Sequence, residues 1–133
     1  MSDPFVFYTV MRRSLGLSTG KAVAQGQHAM DYVTREVERI AEMPIMRRTE
    51  EEVARLAAFY QWRRTPDHAK VVLGASDEEF LQVLAENPGS GKSVFLVTDL
   101  GRTEVAPDTQ TCVGLWPMRK SARSPILCKL KLL

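Results

Sequence analysis

The sequence predicts a three-layer α/β domain in which a four-stranded sheet, mixed or mostly parallel, carries helices on both faces. Two observations predict it. Short runs that are apolar along their whole length recur four times, as strands covered on both faces require. Between them lie longer stretches whose apolar residues return every three or four positions, the spacing of a helix with one buried side. The 133 residues are 44% apolar and 26% charged, with 8 glycines and 7 prolines, which excludes disordered, collagen-like and low-complexity chains. That length suits one domain over residues 1–133, and no repeat, linker or shift of composition divides it.

The elements follow in order. Phe5 to Met11 (FVFYTVM) is the first strand, and the glycines and hydroxyls of RRSLGLSTG break it. A helix then runs from Gly20 to Met43, with Val23, Met30, Val33, Val37 and Ile40 inward and Pro44 as its stop. Thr49 with Glu52 forms a capping box that opens a second helix, Glu50 to Trp62, burying Val53, Leu56, Ala57 and Tyr60. Lys70 to Gly74 is the second strand. Ser76 with Glu79 is another capping box, and its helix runs through Phe80, Val83 and Leu84 to Asn87, where Pro88 and Gly89 close it. Val94 to Thr98 and Thr111 to Trp116 are the last two strands, joined by DLGRTEVAPDTQ, a loop of the length that usually carries function. Trp62 and Trp116 read as core, His68 as a turn residue, and Cys112 and Cys128 as core thiols.

Charge and composition narrow the function. The net charge is only +2, from 18 basic and 16 acidic groups. Both ends are nevertheless basic: Arg12, Arg13 and Lys21 oppose Asp3 alone, and Arg119, Lys120, Arg123, Lys129 and Lys131 oppose no acid. If the ends share a face, they form a patch suited to phosphates. No apolar run approaches the roughly 20 residues a bilayer needs, and the start lacks the basic region of a secretory signal. Two cysteines are too few for a disulfide scaffold, and no Cys/His spacing suits zinc. A cytoplasmic protein with no membrane, metal or cofactor is expected.

Three strings carry candidate chemistry. NPGSGKS (87–93) looks like a phosphate loop, but it follows a helix and precedes a strand, the reverse of what that loop needs, so Lys92 reads as a solvated turn residue. On the first helix Lys21, Gln25 and His28 share one stripe that begins at the helix N-terminus, where free amides attract anions. As plain structure, Lys21 is a surface residue and His28 a half-buried, satisfied histidine. DLGRTEVAP (99–107) lies where the third strand ends, the place at which open α/β sheets bind ligands. There Asp99 suits orienting a histidine or polarising a water, Arg102 suits a phosphate, and Thr103 suits an oxyanion. Structurally, Asp99 and Thr103 cap a turn and Arg102 pairs with Glu104.

In this order and spacing the residues resemble the type 2 peptidyl-tRNA hydrolases. The resemblance spans nearly the whole chain: Arg12, Gly20-Lys21, Ala24-Gln25 and His28-Ala29 look like the family's first signature. Asp99, Gly101, Arg102, Thr103, Ala106 and Pro107, followed by Thr109 and Thr111, look like its second, and Lys70 and the closing LKLL also match. The resemblance implies hydrolysis of the ester between a peptide and the terminal ribose of tRNA, without metal or cofactor and often as a homodimer. It implies catalytic roles for His28 as base or water-positioner, Asp99 as its orienter, and Lys21 with Thr103 near the carbonyl oxygen. Arg12, Lys70 and Arg102, with Gln25 and Thr19, would contact RNA. Two residues depart from the family: Ser14 stands where it usually has aspartate and Thr19 where it usually has lysine, so impaired activity is one expectation. A silent tRNA-binding member, or a protein-interaction module using the longer segment 43–64, is the alternative.

Overall fold

A computed structural model of the chain describes residues 2–101 and 104–133. Their sheet has the order β3-β4-β1-β2-β5, with β1 at Phe5–Arg12, β2 at Lys70–Ala75, β3 at Val94–Asp99, β4 at Thr109–Arg119 and β5 at Lys131–Leu132. The sheet is mixed. β1 and β2 run parallel, with Phe7 opposite Lys70 and Arg12 opposite Ala75. β4 runs antiparallel to both β1 and β3, and β5 antiparallel to β2. So β1, β2 and β3 point the same way, and their carboxyl ends share one edge of the sheet.

Alternate residues of each strand face opposite layers. Val6, Tyr8 and Val10 of β1 meet Phe80 and Val83 of α3 (Asp77–Glu86) and Ile126 and Leu127 of α4 (Pro125–Lys129). Phe7 and Met11 meet α1 (Thr19–Glu42) and α2 (Glu50–Arg64) through Ala29, Val33, Phe59 and Trp62, with Trp116 of β4 completing the cluster. Helices therefore cover both faces, as expected.

Several expectations change. The described residues form five strands, not four, because β5 is two residues long and leaves no periodic signal. Val23 is 55% exposed instead of core. On α2 the buried residues are Glu52, Phe59 and Trp62, while Val53 and Tyr60 face out. The aromatic rings decide that face: Phe59 lies 5.6 Å from Trp62 and 6.1 Å from Trp116, and burying large rings outweighs the smaller side chains. Cys112 is buried as expected and Cys128 is exposed. The chain ends do meet, since the Lys120 amide donates to Pro4 and Ser121 donates to the Asp3 carboxylate. Their basic groups divide between the two edges: Arg119 pairs opposite Phe5 at the amino edge, while Lys131 pairs opposite Gly74 at the carboxyl edge, where Arg12 ends β1 and Arg13 donates to the Leu132 carbonyl. Only part of the two basic ends meets, at the carboxyl edge.

Candidate active site

The site begins with a close approach. A Cβ on Gly114 of β4 would lie 2.9 Å from the Ala29 Cβ, so glycine there lets α1 sit tightly on the sheet. One turn earlier on α1, Gln25 is thereby held against the carboxyl edge of β3 and the start of β4. Its Nε2 donates to Asp99 Oδ1 at 3.2 Å, and Thr111 Oγ1 donates to its Oε1 at 2.5 Å. One turn earlier again, Lys21 Nζ lies 2.7 Å from the same Asp99 oxygen, and the two side chains are only 12% and 9% exposed.

The loop after β3 completes the carboxylate. Gly101 N–H donates to Asp99 Oδ2 at 2.7 Å, and Gly101 has φ +78°. A Cβ there would lie 2.4 Å from the Pro107 nitrogen. Only glycine fits on both counts. The Lys21 hydrogen bond first, then the Gly101 amide, holds the Asp99 carboxyl below its ordinary range against the opposing effect of burial. Asp99 is therefore an ionised carboxylate throughout the neutral range.

Glu104 fastens this loop to α1. It accepts from the backbone N–H of Ser18 at 2.8 Å and from the Ser18 hydroxyl, while that hydroxyl oxygen accepts the Lys21 amide as the helix N-cap. The Ser18 bonds hold the Glu104 carboxyl low. Sequence reasoning paired Glu104 with Arg102 and passed over Ser18, although Ser18 three residues before Lys21 is a legible cap. Arg102 and Thr103 lie outside the described residues.

The other expected residues are placed as follows. Arg12 ends β1 and donates to the Gln110 carbonyl at 2.8 Å, with its guanidinium 3.1 Å from Asp77. Ser14 donates to the same Asp77 oxygen at 2.6 Å, and that bond, followed by the Arg12 bonds, holds Asp77 low. A carboxylate does stand beside Ser14, then, supplied by α3; nothing in the sequence links positions so far apart. Thr19 is exposed in the first turn of α1. His28 is exposed on the Lys21 stripe, about 10 Å further along the helix axis, and makes no side-chain hydrogen bond among the described residues. Lys70 lies over the Trp62 ring at 5.3 Å, at the amino end of β2. It is thus about 17 Å along the strand pair from the level of Arg12. Between the two runs a groove of about 770 Å³, floored by Phe7, Met11 and Val72 and walled by Ala22, Gly26 and Met30 of α1. Its described lining holds no acidic side chain, while Arg12, Arg13 and Lys70 line it.

Among the described residues no group of three His, Cys, Asp or Glu side chains is placed to hold a metal, and no helix is long and apolar enough to cross a membrane.

Fold and site define an α/β protein whose polar machinery gathers at the carboxyl edge of its sheet, built from a helix N-terminus and the loop after a strand. Residues 5–133 match the family described as peptidyl-tRNA hydrolase PTH2. The chain is 34% identical over 125 residues to a peptidyl-tRNA hydrolase of Methanopyrus kandleri, covering 93% of this chain and 94% of that protein. It is 27% identical over 124 residues to one of Methanocaldococcus jannaschii, covering 93% and 96%. To the human peptidyl-tRNA hydrolase 2, mitochondrial, it is 32% identical over 117 residues, 87% of this chain and 57% of that protein. It thus spans little more than half of the human relative and nearly all of the archaeal ones. The chain belongs to the peptidyl-tRNA hydrolase PTH2 family.

Proposed function

We propose that the chain hydrolyses the ester that joins a peptide to the terminal ribose of tRNA. The observation that carries this reading is the Lys21–Asp99–Gln25 cluster, a nearly buried ammonium and carboxylate at the edge where an open sheet binds its ligand. Ester hydrolysis needs a held water, donors for the developing oxyanion, and cations for the RNA. Lys21 spends one N–H on Asp99 and has two others for the carbonyl oxygen. Asp99 has four acceptor sites, of which Lys21, Gln25 and Gly101 fill three; the fourth takes the attacking water. A carboxylate held this low is a weak base, so its part is to orient the water, whose proton passes to the leaving ribose oxygen as the ester bond breaks. His28 positions water from the rim, and Thr103 lies close enough in sequence to add an oxyanion donor. Arg13 and Lys70, on the groove whose described lining holds no acidic side chain, suit the phosphates of the acceptor end, with Arg12 and Thr19 nearer the ester; the resemblance adds Arg102 to the RNA contacts, while Gln25, being enclosed, acts on Asp99 and not on RNA. Such binding weakens steeply with salt.

The test is turnover of an N-blocked aminoacyl-tRNA at low and moderate salt, beside its uncatalysed decay. Hydrolysis well above decay supports the reading. Binding without turnover favours a silent RNA-binding member of the family, and neither favours a protein-interaction module.

A further inference from the structure

We infer that Thr111 is a positioning residue of this site: its buried hydroxyl fixes the Gln25 carboxamide so that the NH2 end faces Asp99. Thr111 sits on β4 with no exposed surface, and it touches no group that a substrate can reach. Gln25 is equally enclosed, at 1% exposure. A carboxamide has an acceptor end and a donor end of nearly the same shape, so its neighbours must choose between them. An ionised carboxylate only accepts, which turns Nε2 toward Asp99 and leaves Oε1 facing Thr111. A hydroxyl carries one proton. Of the two oxygens in its reach, Gln25 Oε1 at 2.5 Å and the Val97 carbonyl at 3.4 Å, the nearer takes it.

Without that hydroxyl, Oε1 is a buried acceptor with no donor, and the amide escapes by turning or withdrawing. If it turns, an oxygen faces the carboxylate. If it withdraws, Lys21 alone among side chains holds Asp99 Oδ1, and the carboxylate is free to rotate about its own bond. Either way the damage falls on the placement of the water and the ammonium, and hardly on the binding of RNA. The kinetic part of this inference rests on the hydrolase reading above; the orientation of the amide does not.

The experiment therefore has two arms. In the first, NMR of the 15N-labelled wild-type chain places the Gln25 side-chain NH2 protons close to the Asp99 β-protons and slow to exchange with solvent. Protons found instead beside the Thr111 methyl, or exchanging freely, overturn the inference whether or not the chain is a hydrolase. In the second, Thr111→Val lowers kcat about tenfold, the order of one hydrogen bond, with KM nearly unchanged, and Thr111→Ser restores it. In a Gln25→Ala background Thr111→Val adds nothing further. Equal losses in both backgrounds would mean a merely structural role. If Thr111→Val does not fold, the smaller Thr111→Ala takes its place. A wild type without turnover removes the hydrolase reading alone, and the first arm still decides this one.

Discussion

Gly101 compresses the site's demands into one residue. Its positive φ and its contact distance to Pro107 exclude a side chain, and its N–H holds Asp99. Gly101→Ala should lower turnover while leaving the fold intact, measured as kcat beside a thermal melt. Lys21→Ala and Asp99→Ala should each cut turnover about a hundredfold or more, the scale of removing a preorganised electrostatic group. His28→Ala should cost about tenfold, since it has no orienting partner among the described residues. Ser14 calls for the opposite of restoring the family residue. Because Ser14 already donates to Asp77, Ser14→Asp sets two carboxylates face to face. It should lower the melting temperature, with the loss shrinking in high salt. Lys21, Asp99 and Gly101 were legible because each lies in a short local string, the start of α1 and the loop after β3, although the contact between Lys21 and Asp99, 78 residues apart, was not. Asp77 beside Ser14 and Thr111 behind Gln25 were not, because hydrogen-bond partners 63 and 86 residues apart leave no pattern in a linear sequence.

Among the elements, α1 carries the chemistry and the sheet sets its height. The Ala29–Gly114 approach is a tight constraint on that height, so Gly114→Ala must push α1 outward or bend β4. A loss of about 1–3 kcal/mol, typical of overpacking, is expected from chemical denaturation, with a fall in turnover as Gln25 leaves Asp99. A second tie joins α1 to α2, where Arg39 bridges Glu36 and Glu52 at 2.5 and 2.8 Å and Arg55 reaches Glu36 at 3.1 Å. Glu52 also closes the capping box with Thr49, and that box and the one at Ser76 and Glu79 are both present as the sequence indicated. Caps were legible because their chemistry is contained in four consecutive residues. The buried side of α2 was not, since Phe59 and Trp62 are drawn to Phe7 and Trp116, rings that only the fold brings near.

For the whole molecule, acid should be the weak direction. Glu36, Asp77, Asp99 and Glu104 are all held low by hydrogen bonds and cations, and the Thr49 amide with Arg39 brings Glu52 down to about 2. A carboxyl lowered by folding contributes stability above its unfolded value and loses it as pH falls through the folded one. Melting temperature should therefore hold above about pH 4.5 and fall between there and about pH 2; a flat profile across that window would contradict these ion pairs. The layered plan was legible because strands covered on both faces must be apolar throughout and covering helices must be amphipathic. The outermost strand was not, since its two residues gain their register only from the Arg13 bond to the Leu132 carbonyl and the ladder on β2. The central claim is that α1 and the loop after β3 assemble one hydrolytic centre. Its most direct measure is the rate at which wild type, Lys21→Ala and Asp99→Ala release the blocked amino acid from an N-blocked aminoacyl-tRNA. Rapid release by wild type and a hundredfold or greater loss in both variants is the expected result; three equal rates would contradict it.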